Sequence, residues 1–191
     1  MEIARVQKAN KKEIMIKKII THSGQAHVDD FLSCCVLAYV NEFEGTIWRR
    51  EPTVEEIYDP EVAVIDIGGI HNPAKLNFDH HHFSEDQEPT CSLSLVLDHI
   101  GIYQNALKHL PWLHTVEWFD SRGPTKTAEY LKINTAVIKS LSNPISQAVM
   151  SWFSECGYVD LANHSQDLMS NLMYWLGEEI LYYANSASVN N

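Results

Sequence analysis

The feature that most constrains the fold is a pair of short runs rich in β-branched residues, each followed by a polar residue. Residues 62–65 read Val-Ala-Val-Ile and precede Asp66, and residues 18–21 read Lys-Ile-Ile-Thr and precede His22. Runs of this length and β-branched character suit strands buried on both faces. The pair Gly68-Gly69 ends the later strand. The sequence therefore predicts a buried sheet whose strands end at a histidine and a carboxylate.

Strands and helices alternate in this part of the chain. Residues 46–49 and 77–79 predict further short strands, and acidic positions 29 and 30 precede a nearly continuous apolar helix over 31–40. The alternation predicts an α/β protein with a mostly parallel, doubly wound sheet. In such sheets the functional groups gather at the carboxyl ends of the strands.

After residue 92 the pattern becomes helical. Residues 92–100 and 104–119 predict helices, with Pro111 expected to interrupt or start one. Asn143 caps a helix that reaches about residue 156, and a last helix starts at 163 or 165 and runs to about 184. We expect the aromatic residues of the last two helices to pack in a helical core or to form a homodimer face. They are Trp152, Phe153, Tyr174, Trp175, Tyr182 and Tyr183.

These patterns predict three parts. Residues 1–14 form a basic N-terminal arm, residues 15–123 form the α/β core, and residues 124–191 form a helical C-terminal segment packed on the core. The boundary is placed at the Ser-Arg-Gly-Pro sequence of residues 121–124.

Composition narrows the class of protein. Hydrophobic residues make up 45% of the 191 residues, which is enough to bury a core. No apolar run approaches the roughly 20 residues that span a bilayer, and no signal peptide is visible, so we expect a cytoplasmic protein without a membrane partner. The four cysteines lack CxxC spacing and are expected to be reduced thiols. The net charge of −11 disfavours duplex DNA and favours a small or short anionic substrate handled by metal ions, although solubility alone is the favoured explanation of the overall charge.

The chain has ten histidines, and their placement beside carboxylates is informative. His22 and His27 share one loop with Asp29 two residues further on, and residues 79–82 read Asp-His-His-His. Each group alone has an ordinary explanation, such as a turn cap or a polar surface. However, a charged Asp66 on an otherwise apolar strand costs considerable free energy if it is unpaired, and a cation is the simplest remedy.

Imidazole and carboxylate ligands together suit Mn²⁺, Fe²⁺, Co²⁺ or Zn²⁺ better than Ca²⁺, and Mg²⁺ is an alternative. Two ions bridged by one carboxylate lie roughly 3.5–4 Å apart and hold a hydroxide between them as a nucleophile. The natural substrate of such a pair is a phosphate ester or anhydride. The residues therefore predict a two-metal phosphoesterase.

Four segments resemble, in family order, the motifs of the Myg-type proteins, a branch of the DHH phosphoesterase superfamily. Residues 21–30 resemble the first motif, 64–69 the second, 78–82 the signature Asp-His-His motif and 116–120 the fourth. The joint occurrence of all four motifs is specific, whereas any one alone is a weak signal. The resemblance implies a DHH-type α/β core with two Mn²⁺-like ions.

Carried over by motif, the ligands of the first ion are His22, His27 and Asp66, and those of the second are Asp29, Asp66, His81 and Asp120. Asp66 would bridge the ions, and His80 would be catalytic, facing the substrate phosphate as ligand or proton donor. Asp79 would orient a histidine through its ring N–H, with Asp30 also supporting the ligands. Arg122 is the candidate contact for the substrate phosphate.

The chain departs from the family pattern at three positions: Asp30 stands where Glu is usual, His82 where Gln is usual, and His71 where an aromatic residue is usual. The glycine-rich DHH-associated C-terminal domain is not visible. Other cations that could meet a phosphate are Arg49, Arg50 and Lys75, for which solvated surface charge is the favoured interpretation.

Three functions remain open at this point. The resemblance implies a phosphodiesterase or exonuclease that acts on short single-stranded RNA or oligonucleotides. The acidic composition and the missing domain favour instead hydrolysis of a nucleotide, a cyclic dinucleotide or pyrophosphate. The third hypothesis is a non-catalytic binding module that keeps the fold and uses its aromatic-rich helices to bind a partner.

Overall fold

The computed structural model describes residues 15–140, 143–162 and 167–186. The predicted basic arm and the predicted start of the last helix lie outside these residues. Within them the chain is a mixed α/β protein with a six-stranded sheet and eight α-helices. No helix of the described residues combines the length and apolarity that a membrane crossing requires.

The elements follow the predicted alternation in the first half of the chain. The strands are β1 (Lys18–Thr21), β2 (Thr46–Arg49), β3 (Val62–Ile65), β4 (His71–Asn72), β5 (Asn77–Phe78) and β6 (Tyr158–Asp160). The helices are α1 (Val28–Val40), α2 (Val54–Tyr58), α3 (Ser92–His99), α4 (Tyr103–His109), α5 (Leu113–Leu131), α6 (Thr135–Ser140), α7 (Pro144–Glu155) and α8 (Leu168–Asn185).

The sheet is mostly parallel, as predicted. Its order is β4-β5-β3-β1-β2-β6, with β1 pairing in parallel with β2 and β3, and β3 pairing in parallel with β5. The two edge strands, β4 and β6, are antiparallel to their neighbours. β6 comes from the C-terminal part of the chain, so that part completes the sheet as well as packing on it.

The two faces of the sheet are covered unequally. Ile19, Ile47 and Ile65 belong to the large core, which also includes buried residues of α1, α3 and α8. The opposite face has a small cluster around Ile20 and Val64, near which α2 packs against β3. Most of the described helices therefore lie on one side of the sheet, whereas a doubly wound sheet was expected to have helices on both.

Helix α1 is packed closely against α8. Gly177 of α8 approaches α1 so closely that an added Cβ would lie 2.3 Å from the carbonyl oxygen of Cys35. Of the aromatic residues near the C-terminus, Phe153 is buried, whereas Trp175 and Tyr182 are exposed. All four cysteines are free, as predicted.

The helical region predicted over 104–119 is divided near Pro111, as expected: α4 ends at His109 and α5 begins at Leu113. Helix α5 is itself broken at Gly123, which has a φ of 74° and is followed by Pro124. This break coincides with the boundary that the sequence suggested over residues 121–124.

Candidate metal centre

The parallel strands bring the candidate residues together at one edge of the sheet. His22, Asp66 and Asp79 each directly follow a strand: β1, β3 and β5 respectively. The last residues of these strands are in register, because Ile65 pairs with Thr21 on one side and with Phe78 on the other. The three polar side chains therefore leave the sheet at the same level.

Asp66 turns the chain out of the sheet in a left-handed conformation, with a φ of 57°. Aspartate and asparagine tolerate this conformation better than most other residues with a Cβ. Its backbone N–H donates to the carbonyl of Phe78, which fixes the turn against β5. Both carboxylate oxygens are buried and have no hydrogen-bond partner.

Imidazole nitrogens surround this carboxylate. His80 Nε2 lies 3.1 Å from Asp66 Oδ1, His22 Nε2 lies 3.6 Å from Oδ2, and His81 Nδ1 lies 3.9 Å from Oδ1. Asp120, from α5, brings its Oδ2 to 2.7 Å from His80 Nε2 and its Oδ1 to 3.5 Å from His27 Nδ1. Residues from three strand ends and two helices thus converge on one region.

The donor atoms form three groups, and the atoms of each group lie within 4.8 Å of one another. Asp66 belongs to all three. The groups are His22, His27 and Asp66; Asp66, His80 and His81; and Asp29, Asp66, His80 and Asp120. The structure therefore brings together all seven residues that the sequence proposed as ligands or catalytic groups.

The hydrogen bonding of these atoms fits a cation. Several are buried and unpartnered even though another polar atom is close: His22 Nε2, Asp29 Oδ1, both Asp66 oxygens, His80 Nε2 and Asp120 Oδ2. Buried polar atoms are normally hydrogen-bonded. Atoms that converge at short distance without hydrogen-bond geometry are arranged as the ligands of a metal ion are. The mixture of imidazole and carboxylate suits a first-row transition metal.

Electrostatics also favours a cation here. Burial, followed by the charges of Asp66, Asp120 and Asp30, raises the pKa of Asp29 to about 8. Burial likewise raises the pKa of Asp66. For His80, burial lowers the pKa, but the nearby carboxylates of Asp120 and Asp66 outweigh it and raise the pKa to about 10. The charged forms of Asp29 and Asp66 are thus destabilised by burial and by neighbouring carboxylates, and bound cations would relieve both effects.

Asp79 and Asp30 contact the histidines and the loops that carry them. Asp79 accepts hydrogen bonds from the backbone N–H groups of Gly69 and His81, at 2.6 and 2.9 Å, and lies 2.7 Å from His81 Nδ1. Although its burial opposes the effect, these hydrogen bonds lower the pKa of Asp79 to about 2. Asp30 accepts from the N–H of His27 at 2.9 Å.

The basic residues are engaged elsewhere. Arg122 donates to the carbonyls of Glu85 and Gln87, at 2.9 and 2.7 Å, and so holds the loop that follows the three histidines. Arg50 pairs with Glu56, and Lys75 donates to a backbone carbonyl.

Arg49 was expected on the surface and is instead only 4% exposed, because it is the last residue of β2 and lies against Phe153 of α7. Its Nη1 donates to the carbonyls of Gly24 and Phe153, at 3.1 and 2.9 Å. Ser154 of α7 accepts from the N–H of Ala26 at 2.8 Å. Together these bonds fasten the loop between His22 and His27 to α7. Sequence reasoning missed this link because the partners are far apart in the chain.

Histidines and carboxylates gathered at the strand ends of an α/β sheet are typical of metal-binding proteins, a broad class. Similarity to known proteins indicates a more specific group within that class. The family model MYG1_exonuc, described as an uncharacterised protein family (UPF0160), matches residues 18–101, which is less than half of the chain. This segment contains every candidate residue except Asp120 and Arg122.

Individual relatives extend the similarity. The MYG1 exonuclease of Rattus norvegicus is 32% identical over 78 residues, which cover 39% of this chain and 20% of the relative. A MYG1 protein of Dictyostelium discoideum is 36% identical over 90 residues, which cover 44% of this chain and 27% of the relative. A MYG1 protein of Schizosaccharomyces pombe is 27% identical over 199 residues, covering 88% of this chain and 59% of the relative. The chain therefore matches only a part of each relative, about a fifth in the rat protein. No solved structure matches.

Proposed function

We propose that this chain is a divalent-metal phosphoesterase that hydrolyses phosphodiester bonds of short single-stranded RNA or other oligonucleotides. The observation that carries the proposal is the sharing of Asp66 by three groups of donor atoms, with both its oxygens buried and unpartnered. Several relatives are named MYG1 exonuclease, which supports a nucleic-acid substrate. The order of the four motifs supports a DHH-type core.

The geometry suggests how the ligands divide between two ions. His22, His27 and Asp66 would hold one ion, as the motifs imply. For the other ion, we propose Asp29, Asp66, His80 and Asp120. This exchanges the roles that the sequence gave to His80 and His81. His80 is 6% exposed and lies against Asp66 and Asp120, whereas the side chain of His81 is 60% exposed.

Two Mn²⁺-type ions bound here would supply a hydroxide nucleophile and neutralise the charge of a phosphate group. Within the chain, Asp79 accepts the Nδ1–H of His81 and so leaves its Nε2 for a substrate. Hydrogen bonding to Asp79 raises the pKa of His81, which favours the protonated ring. His81 would therefore hold a proton at Nε2 and donate it to a phosphate oxygen or to the leaving alkoxide.

We also propose a division into an arm, a core over 15–123 and a C-terminal segment that packs on the core. The net charge of −11 disfavours a duplex and supports a short or small substrate. Hydrolysis of mononucleotides, cyclic dinucleotides or pyrophosphate is the second candidate, favoured by the same charge. The exposed Trp175 and Tyr182 support a homodimer.

The test is digestion of a panel of substrates with added Mn²⁺, by the full chain and by its Asp66→Asn variant. The panel contains end-labelled short RNA, short single-stranded and duplex DNA, a cyclic dinucleotide and pyrophosphate. Mn²⁺-dependent release of mononucleotides from single strands, lost in the variant, supports the proposal. Release of phosphate from pyrophosphate alone supports the second candidate. No turnover of any substrate, with Mn²⁺ bound, would favour a binding module.

A further inference from the structure

The first turn of α3 contacts one of the candidate carboxylates directly. Ser92 is fully buried, and its backbone N–H and hydroxyl both donate to Asp29 Oδ2, at 3.1 and 2.8 Å. Ser33, one turn further along α1, donates to the backbone carbonyl of Asp29 and lies 3.1 Å from the Ser92 hydroxyl. Because these bonds occupy Oδ2, the unpartnered Oδ1 of Asp29 remains to face the centre.

The same turn of α3 also contacts a second buried carboxylate, Glu117, that belongs to none of the donor groups. Ser94 Oγ donates to Glu117 Oε1 at 2.6 Å, and the hydroxyl of Tyr103 donates to the same oxygen at 2.7 Å. His114 Nδ1 lies 2.7 Å from the other oxygen, Oε2. Glu117 is completely buried, so three side chains from three helices define its position.

A buried glutamate is a poor choice for stability alone. Removing a carboxylate from water is unfavourable, and an apolar side chain of similar volume often serves a core equally well. The hydrogen bonds from Ser94 of α3 and Tyr103 of α4 instead constrain where α5, which bears Glu117, can lie relative to these two helices. His114 lies on α5 itself and orients only the Glu117 side chain. The contacts of Glu117 therefore indicate that it fixes the position of α5.

That role follows from the place of Glu117 on α5. It lies three residues before Asp120, and residues three apart project from the same side of a helix. Fixing Glu117 against Ser94 therefore fixes the rotation and height of the helix that presents Asp120. Ligand geometry has to be held within about half an ångström by the surrounding groups.

We infer that Ser92, Ser94 and Glu117 are positioning residues that set the relative positions of two candidate ligands of one ion. Ser92 holds Asp29 directly, and Ser94 acts on Asp120 through Glu117. Helix α3 is thus the common reference for both carboxylates. This inference rests on the metal centre of the proposed function, and it concerns the affinity for metal independently of any cleavage.

The test measures the dissociation constant of Mn²⁺ by isothermal titration, beside the melting temperature of the metal-free protein. Ser92→Ala, Ser94→Ala and Glu117→Met are expected to weaken Mn²⁺ binding about 10- to 100-fold, as loss of groups that orient ligands does. Metal-free Glu117→Met should melt below the parent, because the hydroxyls of Ser94 and Tyr103 lose their acceptor, so Mn²⁺ affinity is measured at a temperature at which the variant is folded. Glu117→Gln keeps an oxygen that accepts from Ser94 and Tyr103, so its affinity should remain within about threefold of the parent.

Ser170 provides a matched control. Its backbone N–H and hydroxyl donate to Oδ2 of Asp167, at 2.8 and 2.7 Å, in the arrangement that Ser92 makes with Asp29. Asp167 belongs to none of the donor groups, so Ser170→Ala should lower the melting temperature and leave Mn²⁺ affinity unchanged.

Three outcomes overturn the inference. One is an affinity within threefold of the parent in folded Ser92→Ala and Ser94→Ala proteins. Another is Glu117→Gln binding as weakly as Glu117→Met, because the shared hydrogen-bond acceptor would then be irrelevant. Each of these two outcomes is compatible with the proposed function if the parent binds Mn²⁺ and Asp66→Asn does not. Failure of the parent to bind Mn²⁺ more tightly than Asp66→Asn overturns both proposals.

Discussion

Replacing Asp66 by asparagine separates the charge of this residue from its effect on the backbone. The left-handed φ of 57° at this position suits asparagine as well as aspartate, so the turn after β3 should survive the change. The amide removes one of the negative charges that crowd Asp29 and Asp120. Burial raises the pKa of Asp66 above its unfolded value, so the charged form costs stability at neutral pH. The metal-free variant should therefore melt at or above the temperature of the parent.

With Mn²⁺ bound, the parent should have the higher melting temperature of the two proteins. A ligand at 100 times its dissociation constant stabilises a folded protein by about 2.7 kcal/mol, and 1 kcal/mol shifts the melting temperature of a domain this size by roughly 2–4 °C. Each bound ion should therefore raise the melting temperature of the parent by about 5–10 °C. Because Asp66 belongs to every group of donor atoms, the variant should lose most of this increment.

The assay is calorimetry of both proteins, first with a chelator and then with increasing Mn²⁺. Asp86→Asn, which removes an exposed carboxylate of the loop after the three histidines, serves as the control for charge alone. The two melting curves should cross as Mn²⁺ is added. An equal Mn²⁺-induced shift in Asp66→Asn and in the parent would refute the ligand role proposed for Asp66, and with it the proposed centre.

Three further predictions concern packing, pH and substrate contact. Gly177→Ala should destabilise the protein by roughly 1–3 kcal/mol, because the new methyl would lie 2.3 Å from the carbonyl oxygen of Cys35. The melting temperature of the metal-free protein should fall from pH 6.5 to 8.5. Burial and neighbouring carboxylates raise the pKa of Asp29 to about 8, so the folded state binds more protons in this range than the unfolded state does. The stabilisation by Mn²⁺ should grow over the same range, because protons leave the ligands. Asp79→Asn should reduce turnover about 10- to 100-fold while Mn²⁺ still raises the melting temperature, because Asp79 orients His81 and is not in the donor groups.

Each of these three predictions has a control or an outcome that would contradict it. Gly157→Ala, where an added methyl meets no atom within 4 Å, should change the unfolding free energy by less than about 0.5 kcal/mol. A metal-free melting temperature that rises between pH 6.5 and 8.5 would contradict the arrangement of protons described for Asp29. Loss of Mn²⁺ stabilisation in Asp79→Asn would show that Asp79 supports the ions themselves.

The central part of the sheet was predictable because its strands are short β-branched runs buried on both faces. Strand β6 was not, since only Val159 of its three residues is buried and the strand forms through tertiary pairing with β2. The sequence also did not predict that most of the described helices lie on one face of the sheet. Apolar content shows that a strand is buried but does not show which neighbour buries it.

The candidate centre was predictable in its membership and less so in its arrangement. Histidines and acids at strand ends are visible in a sequence because their chemistry is unusual beside apolar runs. The different positions of His80 and His81 are not, since adjacent residues in a turn diverge according to local backbone angles. The burial of Glu117 was equally hidden, because a helical glutamate reads as a solvent-facing residue until its neighbours are placed.

The fastening of the His22–His27 loop by α7 has a consequence for the order of events during synthesis. Ala26 and Ser154 are separated by 128 positions, so a ribosome must translate most of the chain before this bond can form. The carbonyl of Phe153, to which Arg49 donates, emerges equally late. A nascent chain that has exposed only its first hundred residues therefore carries both histidines on a segment that lacks these two anchors, and the finished geometry of that segment belongs to the last stages of folding.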